Sequence, residues 1–171
     1  NGAKLSSSII TPITDPAHDR ITHMAYDSAN RCIARIDAGG AVHEYRYDAI
    51  GQCIERIDYA TRVLLDANTD ALHWPDARPE AHANDRHDRR HYNALGQLQM
   101  HVDAAGYCTE YRYDDSGMCM SKTRYANALT KIAQAQSEWW LQRPSSSNND
   151  ATTEYRYDAT GHCFEEQHAR G

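Results

Sequence analysis

Glu44-Tyr45-Arg46-Tyr47-Asp48-Ala49-Ile50-Gly51 is the stretch that decides the fold, because its first five residues recur unchanged at Glu110 to Asp114 and Glu154 to Asp158. Each copy is completed by a glycine three residues after the Asp, at Gly51, Gly117 and Gly161. Two degenerate copies, Tyr26-Asp27-Ser28-Ala29-Asn30 and Tyr92-Asn93-Ala94-Leu95-Gly96, complete a set of five Tyr-Asp-x-x-Gly units. In such a unit the Asp carboxylate accepts hydrogen bonds from the amides of the turn, and the Gly supplies the positive φ that a type I turn with a bulge needs. The departures keep the mechanism: Asn93 retains a side-chain acceptor, and Asn30 is the next best residue after Gly for left-handed backbone. Asp27, Asn30, Asp48, Gly51, Asn93, Gly96, Asp114, Gly117, Asp158 and Gly161 are therefore predicted to be turn residues, not catalytic ones.

The units are spaced as a repeat array. Asp27 to Asn93 and Asp48 to Asp114 are both 66 residues, and Asp158 opens a third unit. Asp19, Asp85 and Asp150 each precede a unit by eight residues, while Asp37-Ala38, Asp103-Ala104 and His168-Ala169 each begin ten residues after one. Asp37-Ala38-Gly39-Gly40 and Asp103-Ala104-Ala105-Gly106 read as second turns, leaving strands of ordinary length between. Alternate hairpins carry longer connections instead, Thr61 to Asn84 and Asn127 to Asp150, with Trp74 and Trp140 in the same register. Leu129, Ile132, Ala133 and Trp140 fall at near-helical spacing before Pro144 and Ser145 to Ser147, which predicts a short amphipathic helix; the first insert is predicted to be irregular, with a helical turn around Asp66 to Leu72. The chain divides into a lead-in over residues 1–18 and an array over 19–171, and its end in mid-repeat reads as a fragment of a longer array.

Alternation along the strand before each turn puts Tyr45 and Tyr47, Tyr111 and Tyr113, and Tyr155 and Tyr157 on one face, and the intervening Glu/Arg pairs on the other. Two readings of the Tyr rows stay open: a structural face whose hydroxyls find backbone or water, or a surface that, with Trp74 and Trp140, stacks on sugars or lines a cavity. Cys32, Cys53, Cys119 and Cys163 each sit five residues after a turn Asp, with Leu98 in the remaining copy. Equivalent positions two strands apart are about 10 Å from each other, too far for a disulfide, so these read as small apolar residues. Cys108, off that register, is a buried thiol or the reactive one.

The balance of the 171 residues agrees with a thin sheet. Eighteen Lys and Arg against 24 Asp and Glu give a net charge of -6, and a mean hydropathy of -0.81 leaves little material for a core buried on every side. The aromatics are lopsided, with 11 Tyr, 3 Trp and 1 Phe. No apolar run is long enough to insert in a bilayer, and the acidic balance argues against nucleic acid as a partner. His87 and His91 are four apart, but in a strand this does not bring them together on a metal. No nucleophile elbow or phosphate loop occurs, so no cofactor, metal or catalytic residue is assigned and the chain is not expected to be an enzyme.

The Tyr-Arg-Tyr-Asp-x-x-Gly units, with Asp-Ala-x-Gly between them, resemble the YD repeats of the Rhs family, also found in the B and C components of insecticidal toxin complexes and in teneurins. The resemblance runs from about Asp19 to Gly171. It implies an all-β fold of antiparallel hairpin repeats in a curved or spiralling, shell-like sheet with short helical or irregular inserts. It further implies a secreted or surface-exposed bacterial protein whose array encloses or displays a C-terminal toxin domain. The family's Leu after the turn is mostly Cys here, and its self-cleaving core is absent. The expected partners are the rest of the same repeat chain and an enclosed toxin domain, with edge-to-edge self-association of exposed strands. The competing expectation is a glycan-binding or adhesive module.

Overall fold

A computed structural model describes residues 20–65, 73–74, 76–130, 134 and 137–170. The lead-in over 1–18 and the predicted helical turn at Asp66 to Leu72 lie outside them. Ten strands follow one another: β1 (His23–Tyr26), β2 (Cys32–Ile36), β3 (Val42–Tyr47), β4 (Cys53–Asp58), β5 (Arg86–Tyr92), β6 (Leu98–Val102), β7 (Tyr107–Tyr113), β8 (Cys119–Ala128), β9 (Ala151–Tyr157) and β10 (Cys163–Arg170). They form one sheet in chain order, each antiparallel to the next. The predicted all-β meander is the observed architecture.

Seven of its turns are built alike. In each, one side-chain oxygen of the Asp or Asn accepts the N–H groups two and four residues ahead: Asp27 from Ala29 and Arg31, Asp37 from Gly39 and Ala41, Asp48 from Ile50 and Gln52. The pattern repeats at Asn93, Asp103, Asp114 and Asp158. The residue three ahead is left-handed every time, with φ from 79° to 92° at the six glycines and 59° at Asn30. The backbone bonds to Asp27 lower its carboxyl below the usual range. Just past each Tyr-Asp turn between β1 and β2, β3 and β4, β5 and β6, β7 and β8, and β9 and β10, the register slips by one residue beside the Tyr. That is a β-bulge.

Burial is one-sided. Ala25, Ala34, Ile36, Val42, Ile57, Met100, Val102 and Cys108 are buried, and the register Ala25, Ala34, Glu44, Ile57, His87 across neighbouring strands puts them on the face of Glu44, opposite Tyr45 and Tyr47. The connections between β4 and β5 and between β8 and β9 lie on this face. Each starts by extending the sheet: Val63 N–H bonds to the Gly40 carbonyl at 2.9 Å, and Leu129 N–H to Gly106 at 2.9 Å. Each is closed by an Asp. Asp85 accepts from Ala60 N–H and His82 N–H, and Asp150 from Ala126 N–H and Ser147 N–H, so one carboxylate ties both ends of each insert. These are two of the register acids noted in the sequence.

The second insert differs in part from the predicted helix. Ile132 and Ala133 lie outside the described residues; among those described, Gln134 N–H bonds to the Thr130 carbonyl at 3.0 Å, one helical bond, and a 3-10 turn forms at Trp139–Leu141. Trp139, not Trp140, enters the cluster of Met100, Val102, Cys108 and Leu129, with Tyr125 and Trp140 against its side.

Glycines separate two costs here. At Gly51 a Cβ would meet only the Arg31 guanidinium at 3.6 Å, whereas at Gly40 it would lie 2.7 Å from the Val63 carbonyl. Gly51→Ala should therefore lose only the left-handed backbone penalty, about 1–2 kcal/mol, and Gly40→Ala distinctly more. Urea unfolding of the two variants checks the order.

Candidate functional site

The Tyr before each turn does a second job. Tyr47 hydroxyl donates to the Cys32 carbonyl at 2.8 Å, Tyr92 to Cys53 at 3.2 Å, Tyr113 to Leu98 at 2.7 Å and Tyr157 to Cys119 at 2.9 Å. Each acceptor is the residue five after the preceding turn Asp, so every hairpin is latched to the one before it. Tyr47 thus sits between two cysteines, bonded to the backbone of Cys32 and paired with Cys53 across its own hairpin. Along the turn rim, Arg31 Nη1 reaches the Asp48 carbonyl at 3.3 Å, and Gln52 and Gln97 reach the Gly96 and Gly117 carbonyls, both at 2.7 Å. Tyr45, Tyr111 and Tyr155 lie one step further along the same face, half-buried, opposite Arg56, Lys122 and Glu166. Burial raises the phenol of Tyr47, Tyr111, Tyr113, Tyr155 and Tyr157.

The opposite face holds what sequence reasoning did not single out, a row of buried carboxylates. Glu44 takes the Tyr59 hydroxyl and Arg78 Nε, the latter at 3.0 Å. Sixty-six residues on, Glu110 takes the Tyr125 hydroxyl at 2.6 Å and Arg143 at 2.9 Å. Each insert therefore sends an arginine back onto the Glu of an EYRYD string. Between them Glu55 is bound by Arg46 at 2.8 Å, Arg89 at 2.7 Å and His87 at 2.9 Å. Burial opposes ionisation of Glu55, but the hydrogen bonds from His87 and Arg89 and the positive charges of Arg89 and Arg46 outweigh it and hold the carboxyl at about 2. Glu110 is lowered in the same way by Tyr125 and Arg143 against its burial, while burial and the bond to Glu110 push Tyr125 up to about 12. A signal for these sites was present: Tyr59 and Tyr125 share the 66-residue register, whereas Arg78 and Arg143 miss it by one residue.

A cleft of about 430 Å³ opens beside Glu55, walled by Ile54, Arg89, His91, Trp139 and Trp140. Trp140 lies flat on His91, centroids 4.3 Å apart and planes 1° from parallel. Trp74 is half-buried in the first insert. His87 and His91 share this face but have different partners, Glu55 and Trp140. Among the described residues no three His, Cys, Asp or Glu side chains are grouped as a metal would require. The carboxylates of Glu55 and Glu110 are held ionised by arginines and are thus poor proton donors. All five cysteines are free; Cys163 is exposed, while Cys108 is buried and its thiol pushed by that burial up to about 12.

Residues 92–130 match the family model RHS Repeat. That stretch runs from the latching Tyr92 through β6, β7 and β8 into the second insert, and holds two of the five Tyr-Asp-type turns, those at Asn93 and Asp114. The match agrees with the resemblance read from the EYRYD strings. The fold is shared with the crystal structures of TcdB2-TccC3-Cdc42 (TM-score 0.54, 14% identity, 86% of this chain and 5% of that chain) and of TcdB2-TccC3-TEV (0.55, 15%, 88% and 7%). TcdB2-TccC3 without its hypervariable C-terminal region aligns equally well, with a TM-score of 0.54 at 15% identity. The chain thus spans only a small part of the length of each. Comparison with curated proteins finds no match.

Three outcomes follow from this geometry. Arg143→Ala leaves buried Glu110 with the Tyr125 hydroxyl and Arg112 at 4.0 Å, and should cost about 1–3 kcal/mol in urea unfolding. Because the Glu55 carboxyl is depressed from 4.5 to about 2, its contribution is full above pH 4.5 and disappears as pH falls towards 2; Glu55→Gln should flatten that stretch of the acid-unfolding curve. Under native conditions a thiol reagent should label Cys163 first and Cys108 only on unfolding, as mass spectrometry of the modified peptides would show.

Proposed function

We propose that this chain is a non-catalytic wall segment of a large bacterial secreted or surface toxin, part of a β-sheet shell that encloses or displays a toxin domain. The observation that carries the reading is the latch. The polar groups that distinguish the repeat, the turn Asp, the Tyr hydroxyl and the buried Glu, bond to the chain's own backbone and inserts at one site after another along the sheet. Residues arranged in this way serve to propagate a wall. The match to RHS Repeat at 92–130 and the fold shared with TcdB2-TccC3 support placing that wall in a toxin assembly. On this reading the array covers 19–171, its partners are the rest of the same repeat chain and a downstream toxin domain, and the ten turn residues named from the sequence are structural.

The adhesive reading, with sugars stacked on Tyr45, Tyr47, Tyr111, Tyr113, Tyr155, Tyr157, Trp74 and Trp140, has less support, since the hydroxyls of Tyr47, Tyr113 and Tyr157 are bonded to the neighbouring hairpin and one face of Trp140 is already taken by His91. Limited proteolysis of the parent chain tests the proposal: its downstream domain should resist cleavage when attached to the intact array and be cut rapidly when expressed alone. Equal cleavage in both settings would remove the enclosing role.

A further inference from the structure

We propose that a pocket between the two inserts binds inorganic monohydrogen phosphate, held by His82, His87 and Arg89. The pocket stands apart from any question of what the wall encloses. It has a volume of about 290 Å³ and is bordered by Leu129 and Gln134 of the second insert. Glu55 orients two of the three binding side chains: its ionised carboxylate accepts from His87 Nδ1 at 2.9 Å and from Arg89 Nε at 2.7 Å. His87 therefore carries its proton on Nδ1, and its Nε2 is a lone-pair acceptor. Arg89 meets Glu55 through Nε, and among the described residues its amino groups make no further hydrogen bond. His82 is set the other way, since its Nδ1 accepts the Asn84 N–H at 3.1 Å and the proton is left on Nε2. One imidazole thus offers an N–H and the other a lone pair, with a guanidinium charge beside them. That set matches an anion with one O–H and several bare oxygens. In monohydrogen phosphate the hydroxyl donates to His87 Nε2, and the other oxygens accept from His82 Nε2 and the Arg89 amino groups. Asp85 also borders the pocket, but both its oxygens are already bound by the N–H groups of Ala60 and His82.

The repeat itself shows that the fold does not require these side chains. Sixty-five residues after His82, Ser147 makes the same two bonds. Its N–H donates to Asp150 at 3.0 Å and its Oγ accepts the Asn149 N–H at 3.1 Å, just as His82 N–H donates to Asp85 and its Nδ1 accepts from Asn84. At the same offset Thr152 stands for His87 and Glu154 for Arg89, and the strand partner of Glu154 is Ser121 where that of Arg89 is Glu55. The turn acids, latching tyrosines and insert-closing aspartates recur from one unit to the next; this cluster is missing from the second. Side chains that the backbone geometry does not demand, gathered on one cavity, mark a binding function. Because His82 belongs to the first insert and His87 and Arg89 to β5, a bound anion fastens one to the other and stabilises the chain by mass action.

Calorimetric titration of the intact chain with sodium phosphate, at constant ionic strength in mildly alkaline buffer, tests the assignment. The expected result is saturable binding of a single phosphate. Sulfate and methyl phosphate carry no proton under these conditions and should bind about five-fold more weakly, the loss of one hydrogen bond. His82→Ser, which keeps both turn bonds in the manner of Ser147, should weaken phosphate binding about five-fold and leave the urea midpoint in phosphate-free buffer unchanged. His162→Ser, at the turn before β10, should leave binding intact. Phosphate should also raise the urea midpoint more than sulfate does at equal ionic strength, a comparison that removes the general stabilisation both salts give, and His82→Ser should reduce that excess. No saturable heat, equal binding of the three anions, or a His82→Ser chain that binds phosphate like the unaltered one would overturn the proposal.

Discussion

A single carboxylate oxygen accepting two backbone N–H groups, two and four residues ahead, sets the geometry on which the rest of this sheet is built. The bond pair closes a turn in which the third residue must be left-handed, and the strand leaving that turn then carries a bulge beside the Tyr. The bulged pairing places the Tyr opposite Cys53 and leaves its hydroxyl within reach of Cys32 on the neighbouring strand. Turn chemistry, register and the link between hairpins are thus successive consequences of one local interaction. A chain with little apolar surface can hold a ten-stranded sheet because so many of its contacts are hydrogen bonds satisfied within or beside the strand that makes them.

The two faces divide the work. On one, Tyr and Cys alternate across the strands near the turn rim; on the other, a thin apolar row and three buried glutamates receive the inserts. The glutamates act as anchors. Glu44 joins Tyr59, just past β4, and Glu110 joins Tyr125, within β8, to an arginine deep in the insert, so the insert is held at both ends by acids: Asp85 or Asp150 at its closure and a Glu beneath it. Burying such a group is costly unless it is paired and bonded, and here every one is.

The turns were legible in the sequence because Asp or Asn at one position and Gly or Asn three later act without help from the rest of the fold. Strand order followed, since short turns force neighbours to pair. The burial of the glutamates was not legible from the repeat string itself. Glu44, Glu110 and Glu154 stand in the same five residues, yet Glu44 and Glu110 are buried and Glu154 is exposed; the difference lies in the insert arginine and tyrosine that reach the first two. Trp139 escaped notice for a related reason: its counterpart one unit earlier is His73, so no register marked it, while the recurring Trp140 took the stacked position on His91.

Because each strand packs chiefly against its neighbours in the chain, the molecule is close to one-dimensional in its cooperativity. Stability passes from hairpin to hairpin like a row of linked catches, and a catch can open only after the one outside it has been freed. A force applied at either terminus would peel the sheet strand by strand, with no single collective rupture, and re-formation could begin at any surviving hairpin.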